Sequence, residues 1–358
     1  MSTNWTSSKH QFPGHKECPE RIEAIAAALE AGGLTAAARP GQVEELQGFP
    51  AASLEHVLAI HDEKYVAAIE RLSGTRGTTV VESAPTFVTP TTYEDSLLAA
   101  GAVLSILDAL LAAAPASQAA GGQLAPTGFA ICRPPGHHAV PAGAMGFCIF
   151  SNAAIAAQYA QQRYGLKKVA ILDPDVHHGN GTNDIFYEDP SVLFISTHQA
   201  GLFPGTGRIT ETGSGPGAGA TINIPLPGDS GHEAMLAVFD EVIAPALRRF
   251  EPNLIIVSAG YDAHWRDPLG GLQLRTATYH ALAERIRGLA EELCQGRLLL
   301  VLEGGYDLKA LGESVANTFL GLLGEPALDR FNADLLREEP MEKVWGVIDE
   351  VKRLHHLS

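Results

Sequence analysis

The sequence is poor in cysteine and in positive charge. Its 358 residues include only four cysteines, which lie far apart and form no Cys-x-x-Cys pair: Cys18, Cys132, Cys148 and Cys294. Such a chain has no disulfide framework and no cysteine-type zinc site, and it suits a reducing compartment. Lys and Arg total 25 against 41 Asp and Glu, so the formal charge is −16. An acidic surface repels phosphate, so we expect no direct nucleic-acid binding and an attraction for cationic ligands.

Further absences narrow the class of protein. No run of about 18 residues is both apolar and uncharged, so we expect no membrane association. Residues Met1 to Gln11 are polar and contain neither the apolar core of a secretory signal nor an arginine-rich transit peptide. We therefore expect a cytoplasmic location for a bacterial protein. For a plant or algal protein whose transit peptide has been removed, we expect the plastid or the mitochondrion.

Two common catalytic and cofactor motifs are also missing. The sequence has no Gly-x-Ser-x-Gly, which argues against a serine hydrolase. The glycine-rich run 213–219 contains a proline and follows no clear strand, which argues against a dinucleotide site.

Five short apolar runs alternate with longer helical patterns. Each run is rich in leucine and β-branched residues and lacks polar alternation, which is typical of strands buried on both faces of a parallel sheet. The alternation predicts an α/β fold with helices on both faces of the sheet. The runs are 128–132, 169–172, 192–196, 254–259 and 298–302, and the helical patterns are 93–114, 151–164, 232–250, 276–293 and 308–323.

The chain divides into three expected segments. Residues 1–13 form a polar N-terminal segment, 14–325 a single α/β domain, and 326–358 a helical C-terminal extension. Within the domain, the Ala-, Gly- and Pro-rich stretch 112–126 predicts a flexible surface loop.

Histidine, aspartate, tyrosine and glycine follow the five apolar runs. In open α/β sheets, ligands bind outside the carboxyl ends of the strands. A single site built from five loops is therefore the simplest interpretation. The segments are 133–138, 173–181, 197–207, 260–262 and 303–306.

The segment after the second run contains candidate metal ligands. Asp175 and His177 are two residues apart, so in an extended segment their side chains point the same way, and Asp262 supplies a third ligand from another strand end. Two carboxylates and one imidazole, with a position left for water, are typical of a catalytic zinc site. An isolated Asp-x-His is more often a polar strand end, but here several His and Asp follow buried strands. We interpret His178, which points away from His177, as structural.

Two adjacent histidines are candidates for proton transfer. Hydrolysis needs a base that takes a proton from water and an acid that gives one to the leaving amine. His137 and His138 can do both if carboxylate or amide partners set their tautomers, and Asp173 and Asn180 are the candidate partners. For Tyr306 there are two interpretations. The residue either packs in the core with its hydroxyl bonded to a backbone group, or its hydroxyl donates a hydrogen bond to an oxyanion during the reaction.

Taken together, these motifs resemble the zinc-dependent histone deacetylase family on its class II side. Within this family, the sequence around His198, Tyr261 and Pro340 is similar to that of the branch found in cyanobacteria and plant organelles. Six motifs occur in order between residues 14 and 324: Arg133-Pro-Pro-Gly-His137-His138, Met145-Gly-Phe147-Cys148, Asp175-Val-His177-His178-Gly-Asn180, His198 followed by Phe203-Pro-Gly-Thr-Gly, Ser258-Ala-Gly-Tyr-Asp262 and Glu303-Gly-Gly-Tyr306.

The resemblance implies an arginase/deacetylase fold with an eight-stranded, mostly parallel sheet. It implies that one Zn²⁺ is held by Asp175, His177 and Asp262. It also implies that His137 and His138, paired with Asp173 and Asn180, form the acid/base pair, and that Tyr306 stabilises the oxyanion. A structural K⁺ or Na⁺ is expected on backbone carbonyls near Asp173, Asp175, His177 and Ser196, with a second near Phe186, Asp189 and Val192.

The resemblance further implies a substrate channel. Phe147 and Phe203, with Gly146, line a narrow apolar tunnel for an acyl-lysine-like chain, and Leu269 lies at its rim. Arg21 is placed beside an internal cavity thought to hold acetate. The expected activity is removal of acetyl or short acyl groups from acyl-lysine or a small acetylated amine, with inhibition by hydroxamates. The oligomeric state is not determined by the sequence, and a homo-oligomer is one alternative.

There are three alternatives to this function. An acetylpolyamine amidohydrolase of the same fold is the nearest, and a catalytically inactive acyl-lysine binding module is the alternative from another class. A two-manganese arginase-type enzyme is disfavoured because it needs additional bridging carboxylates.

The sequence also departs from the family pattern in two places. Residues 2–11 are polar where the family opens with an apolar strand, so either the N-terminus is trimmed or the edge strand is missing. There is also no clear counterpart of the acidic loop residue with which class I enzymes grip a peptide backbone; Pro85 falls near that position, which puts protein substrates in doubt.

Overall fold

The computed structural model describes residues 2–3, 9–112, 125–331 and 335–357. The strands are β1 (Ser2–Thr3), β2 (Thr79–Val80), β3 (Phe87–Val88), β4 (Thr127–Ile131), β5 (Val169–Asp173), β6 (Val192–Gln199), β7 (Thr221–Leu226), β8 (Leu254–Ala259) and β9 (Leu298–Leu302). The helices are α1 (Glu20–Ala31), α2 (Leu54–Leu58), α3 (Glu63–Ser73), α4 (Thr92–Ala112), α5 (Asn152–Tyr164), α6 (Asn180–Phe186), α7 (His232–Val238), α8 (Ala244–Phe250), α9 (Thr276–Cys294), α10 (Leu308–Leu323) and α11 (Met341–His355).

Seven of the described strands form one parallel sheet in the order β1-β4-β9-β8-β5-β6-β7. Strands β4 to β9 are largely buried along their length, and successive side chains of a strand point to opposite faces of the sheet. Along β8, Ile255 and Val257 belong to the apolar core on one face, and Leu254 and Ile256 belong to the core on the other. Helices α9 and α10 cover the first face, and α4 and α5 cover the second. The predicted α/β class is therefore confirmed.

The edges of the sheet differ from the sequence prediction. The described residues contain seven strands in this sheet rather than the expected eight. Strand β7 was missed because it contains Pro225, and proline is confined to edge strands. Helix α11 packs against β7, so no further strand is added there. At the other edge, Ser2 and Thr3 pair in parallel with β4, so a short edge strand is present despite its polar sequence.

The predicted helix over 232–250 is interrupted. A π-helical turn, Phe239–Ile243, separates α7 from α8. Pro245 stands in the first turn of α8 and lacks the N–H that a regular helix would use, which explains the widened turn before it.

Two other predicted segments have different outcomes. The predicted loop 112–126 lies mostly outside the described residues. In the predicted C-terminal extension, α11 contributes Val344, Ile348 and Val351 to the core of the α/β domain. The boundaries of the three segments stay predictions.

Helix α4 is long and apolar enough to cross a membrane by length and composition. Most of its residues are buried inside the protein, where it packs against α5 and β4. Core helices of globular proteins meet the same criterion, so this helix is explained by packing.

Close packing of α4 predicts an unusual response to a glycine-to-alanine change. A Cβ at Gly101 would lie 2.1 Å from the Pro50 carbonyl oxygen and 2.8 Å from the Ala52 nitrogen. We expect Gly101→Ala to lower the free energy of unfolding by about 1–3 kcal/mol, because the overlap outweighs the better helix propensity of alanine. Denaturant unfolding measures the change.

Gly288→Ala is the matched control. Gly288 is exposed in α9 and no atom lies within 4 Å of its added Cβ. We expect it to be stabilising by up to about 1 kcal/mol. Equal stabilisation by both changes would show that α4 does not pack closely at Gly101.

Candidate active site

The candidate site residues lie at the carboxyl ends of four adjacent strands, β4, β9, β8 and β5. The sequence predicted this arrangement from the residues that follow each strand. Because the strands are parallel neighbours, their terminal loops meet at one edge of the sheet. The residues brought together are His137, His138, Asp173, Asp175, His177, Asn180, Asp262 and Tyr306.

The three candidate metal ligands converge. His177 Nδ1 lies 3.1 Å from Asp175 Oδ1 and 3.1 Å from Asp262 Oδ2, and one ligand atom from each lies within 4.8 Å of the others. Residues 174–178 form a bend rather than the extended segment assumed from sequence. Backbone groups hold the carboxylates, because Val176 N donates to Asp262 Oδ1 at 2.9 Å and His177 N donates to Asp175 Oδ1 at 3.0 Å.

The geometry and charge of this cluster fit a divalent cation. A tetrahedral ion with bonds of about 2.0–2.2 Å separates neighbouring ligand atoms by roughly 3.3–3.6 Å, close to the distances around His177. Burial alone would lower the pKa of His177, but its hydrogen bonds to Asp175 and Asp262 raise that pKa to about 10. The cluster therefore favours positive charge, which a bound Zn²⁺ would supply.

The two adjacent histidines have different partners. Their ring centroids are 4.0 Å apart. His137 Nδ1 lies 3.0 Å from Asp173 Oδ2, and His138 Nδ1 lies 2.7 Å from Asn180 Oδ1. His137 Nε2 is 3.9 Å from Asp175 Oδ2, so this ring faces the metal ligands.

These surroundings separate the pKa values of the two rings. Burial alone would lower the pKa of His137, but the charges of Asp175 and Asp173 raise it well above its ordinary value. Burial lowers the pKa of His138 well below that value, and the positive charges of His137 and His177 lower it further. The pair therefore consists of a more basic and a less basic imidazole.

Tyr306 lies in a loop whose backbone carbonyls are bound by Arg21. The Tyr306 ring packs edge-on against Phe147 with centroids 5.7 Å apart, and the Arg21 guanidinium carbon lies 5.1 Å from the tyrosine centroid. Arg21 Nε donates to the Gly305 carbonyl at 2.7 Å, and Nη2 donates to the Glu303 carbonyl at 2.5 Å. Arg21 therefore orders the backbone before Tyr306, and its role beside an acetate cavity stays a prediction.

Two aromatic rings border the site on different sides. Phe203 packs edge-on against His138 with centroids 5.1 Å apart, whereas Phe147 contacts Tyr306. Gly146, with φ +53°, lies beside both His138 and Phe203, and a Cβ on it would come within 2.3 Å of His138 Cδ2. The absence of a side chain at Gly146 allows this contact. The predicted tunnel between the aromatic rings stays a prediction.

His178 lies apart from the metal-ligand cluster. Its Nδ1 is 2.8 Å from Thr206 Oγ1, and its ring packs against that of His198. This placement agrees with the structural interpretation of His178.

The residues expected around a monovalent cation are also near one another. Asp173 and Ser196 are partners in the β5–β6 pairing, and Ser196 Oγ is 2.9 Å from His198 Nδ1. At the second position, Asp189 Oδ1 accepts hydrogen bonds from the nitrogen and hydroxyl of Ser191. Both cation sites stay predictions.

Sequence reasoning missed a buried ion cluster below the site. Glu17 accepts from Arg133 Nη2 at 2.6 Å and from Arg21 Nη1 at 3.3 Å. Burial alone would raise the pKa of Glu17, but the ion pair with Arg133 lowers it to about 2. The four-residue spacing of Glu17 and Arg21 is a sequence signal for this pair, whereas the contact with Arg133 depends on the fold.

Glu303 was also not assigned a role from sequence. Its Oε2 accepts hydrogen bonds from the backbone of Gly136 at 2.7 Å and of His137 at 3.1 Å. Burial raises the pKa of Glu303 to about 7. This carboxyl group therefore ties the loop of the two histidines to the end of β9.

The loop between β2 and β3, which includes Pro85, is bonded to the segment of Gly146 and Phe147 through Glu82 and Thr86. Glu82 Oε2 accepts a hydrogen bond from Gly146 N at 3.3 Å, and Thr86 Oγ1 accepts one from Phe147 N at 2.9 Å. These two hydrogen bonds connect the loop to the backbone of Gly146 and Phe147. The Glu82 carboxylate is thus occupied by groups of the protein itself, and the doubt about protein substrates stays a prediction.

A second missed acid, Asp267, lies between Leu269 and Tyr306. Its Oδ1 accepts from Leu269 N at 3.0 Å, and its Oδ2 accepts from Tyr306 N at 2.6 Å. An Asp-Pro pair in sequence indicates only a turn, so nothing local pointed to this contact. Leu269 itself is half-buried, and its position at the rim of a tunnel stays a prediction.

Comparison with known proteins places the chain in a family. The profile of the "Histone deacetylase domain" family matches residues 15–322. The crystal structure of the HDA15 HD domain superposes with a TM-score of 0.83 at 32% identity, covering 99% of this chain and 95% of that one.

Curated relatives include plant and bacterial proteins. The chain is 51% identical to "Histone deacetylase 10, chloroplastic" of Oryza sativa, with 97% of this chain and 79% of the relative covered. It is 49% identical to "Histone deacetylase 14, chloroplastic" of Arabidopsis thaliana, with 97% and 82% covered. It is 40% identical to a "Histone deacetylase-like amidohydrolase" of Pseudomonas aeruginosa, with 82% and 73% covered.

The convergence of three ligand atoms predicts which residues retain a metal. We expect Asp175→Ala, His177→Ala and Asp262→Ala each to lose zinc on dialysis, because a three-ligand site cannot lose one ligand without a large fall in affinity. Elemental analysis of the dialysed proteins measures the zinc content. His178→Ala is the control and should keep its zinc, and full zinc content in any of the three ligand variants would contradict the assignment.

Proposed function

The chain belongs to the histone deacetylase domain family of deacetylases, and from this premise we propose that it is a zinc-dependent amidohydrolase. Its proposed substrates carry an acetyl or short acyl group on a lysine side chain or on a small amine. The observation that carries the proposal is the convergence of Asp175, His177 and Asp262 beside the histidine pair.

The proposed metal site uses the three converging side chains. When bound there, Zn²⁺ supplies Lewis acidity toward a carbonyl oxygen and lowers the pKa of water. The backbone donors to Asp175 and Asp262 orient the carboxylates for this task.

His138 is the proposed general base. Its Nδ1 donates to Asn180 Oδ1, so the neutral ring has its lone pair on Nε2. The Asn180 side chain turns its Oδ1 toward His138, because its Nδ2 donates to Met145 Sδ at 3.4 Å. An amide partner does not increase the charge on the ring, so His138 stays neutral and able to accept a proton.

His137 is the proposed proton donor to the leaving amine. Its Nδ1 bonds to the Asp173 carboxylate, which favours the protonated ring. Two imidazoles with opposite surroundings suit the two proton transfers of amide hydrolysis, because each is held in the state that its step needs.

Tyr306 is the proposed donor to the oxyanion. Arg21 orders the backbone on one side of Tyr306, and Phe147 restrains the ring. A donor held in place before the reaction stabilises developing charge more strongly than water does, because no reorganisation is needed.

Two other assignments complete the proposal. A structural K⁺ or Na⁺ is proposed near Asp173 and Ser196, whose strands are paired. For a plant or algal protein the proposed compartment is the plastid, which the rice and Arabidopsis relatives are named for, and for a bacterial protein it is the cytoplasm.

Turnover of a fluorogenic acetyl-lysine substrate tests the function. We expect a protein with about one zinc per chain to hydrolyse it and to be inhibited by a hydroxamate. Tyr306→Phe should keep its fold and zinc but lose roughly 10²–10³ in kcat, because one oxyanion donor is removed. A zinc-loaded protein without turnover of any acetylated amine would favour the inactive binding module, and a near-normal kcat would remove Tyr306 from the mechanism.

Substrate charge distinguishes the proposed function from the polyamine alternative. The family resemblance implies that Leu269 stands where related polyamine deacetylases have a glutamate that binds an ammonium group. A leucine at the rim leaves an entering ammonium without a partner, which disfavours charged chains by desolvation. The −16 net charge acts mainly on encounter rate through screened steering. We therefore expect a higher kcat/KM for acetyl-lysine than for N8-acetylspermidine.

Leu269→Glu should shift that preference toward the polyamine. Leu269→Gln is the matched control, because it is polar and of similar size but uncharged, and it should shift the preference less. If the wild type already prefers N8-acetylspermidine, the polyamine function replaces the proposed one.

A further inference from the structure

Asp267 connects the rim of the site to the loop of Tyr306. Asp267 is buried, with 6% of its surface exposed. Oδ2 accepts from Tyr306 N at 2.6 Å and from Asp307 N at 3.2 Å, while Oδ1 accepts from Leu269 N at 3.0 Å. One buried side chain thus binds backbone donors from two separate loops.

The loop before Tyr306 needs such an external anchor. Residues 304 and 305 are glycines, and Gly305 has φ +123°. Glycine restricts the backbone little, so the position of the tyrosine is not set by its own neighbours in sequence. Arg21 holds the carbonyls of Glu303 and Gly305, and Asp267 holds the amide of Tyr306 from the opposite direction.

The same anchor includes an ion pair at the surface. Arg266 Nη2 lies 3.3 Å from Asp307 Oδ2, which adds a second link between the rim loop and the Tyr306 loop. Arg266 is exposed, so this pair contributes little by itself. The buried carboxylate of Asp267 makes three charge-assisted hydrogen bonds and is the stronger link.

We infer that Asp267 is a positioning residue, whose single carboxylate fixes the positions of both the Tyr306 hydroxyl and the backbone at Leu269. The inference rests on the proposed function, because it assigns Tyr306 a part in the reaction. Burial raises the pKa of Asp267 to about 6, and the hydrogen bonds from the backbone of Tyr306 and Leu269 act in the opposite direction. Asp267 does not reach the reacting atoms and acts through the loops that it holds.

Asp267→Asn tests the anchor, because asparagine keeps the shape but turns an amide N–H toward a backbone donor. Hydrogen exchange of residues 303–308, followed by mass spectrometry, reports on the Tyr306 and Asp307 amides. We expect exchange to accelerate by about tenfold or more, since hydrogen bonds to a charged group are lost. Unchanged exchange in Asp267→Asn would overturn the anchor whatever the substrate is.

Glu339→Gln is the matched control for losing a carboxylate that holds three backbone amides. Glu339 accepts from Gly231 at 2.9 Å, Glu233 at 3.0 Å and Ala234 at 2.8 Å, at the start of α7. We expect this variant to lose stability, but its kcat and the exchange of residues 303–308 should stay as in the wild type.

A double-mutant cycle with Tyr306→Phe separates positioning from general destabilisation. We expect Asp267→Asn to lower kcat by about 10- to 100-fold with zinc content unchanged, because a small misplacement of a reacting group is costly. In the Tyr306→Phe background the same change should lower kcat by less than about threefold, because residues that act as a unit are not additive. An equal loss in both backgrounds, or no loss, would overturn the link to Tyr306.

Asp267→Glu is the second variant. It keeps the charge but moves the carboxylate by one methylene, so we expect an intermediate loss of kcat and the same non-additivity. If Asp267→Asn does not fold, this variant decides by the same criteria. If the wild type hydrolyses no acetylated amine, the proposed function fails, and the exchange measurement alone decides the anchor.

Discussion

The concentration of buried negative charge at one edge of the sheet is the constraint on which the site depends. Asp173, Asp175, Asp262, Asp267 and Glu303 are each at most 6% exposed. A buried carboxylate is unfavourable unless it is hydrogen-bonded or paired with positive charge. Each of these side chains therefore determines the position of the groups around it.

Backbone amides and cationic side chains provide the compensation. Glycine-containing loops present their N–H groups to the carboxylates, as at Gly136 for Glu303 and Gly304 for Asp175. Positive charge is favoured at His137 and His177, whose pKa values are raised. The proposed divalent cation would add positive charge among the three ligands, so the proposed chemistry and the electrostatics of the fold have the same origin.

Much of the architecture was predictable because the pattern of the buried strands is local. The bounds of β8, β9 and α10 match the sequence prediction, and the family assignment is confirmed. Strand β7 and the π-helical turn before α8 were not predicted. In both places a proline alters the regular backbone pattern: Pro225 lies in the edge strand β7 beside α11, and Pro245 lies in the first turn of α8 directly after the π-helical turn.

The fold class and the set of residues at the strand ends were predictable from the amino-acid sequence, because strand hydrophobicity and the residues that follow each strand are local properties. The sequence also indicated Asp175, His177 and Asp262 as a ligand set through residue type and spacing. The arrangement of His137 and His138 with their partners, and the contacts of Glu82, Asp267 and Arg133, depend on the folded chain. These contacts join residues distant in sequence, and their hydrogen bonds exist only when the sheet brings the loops together.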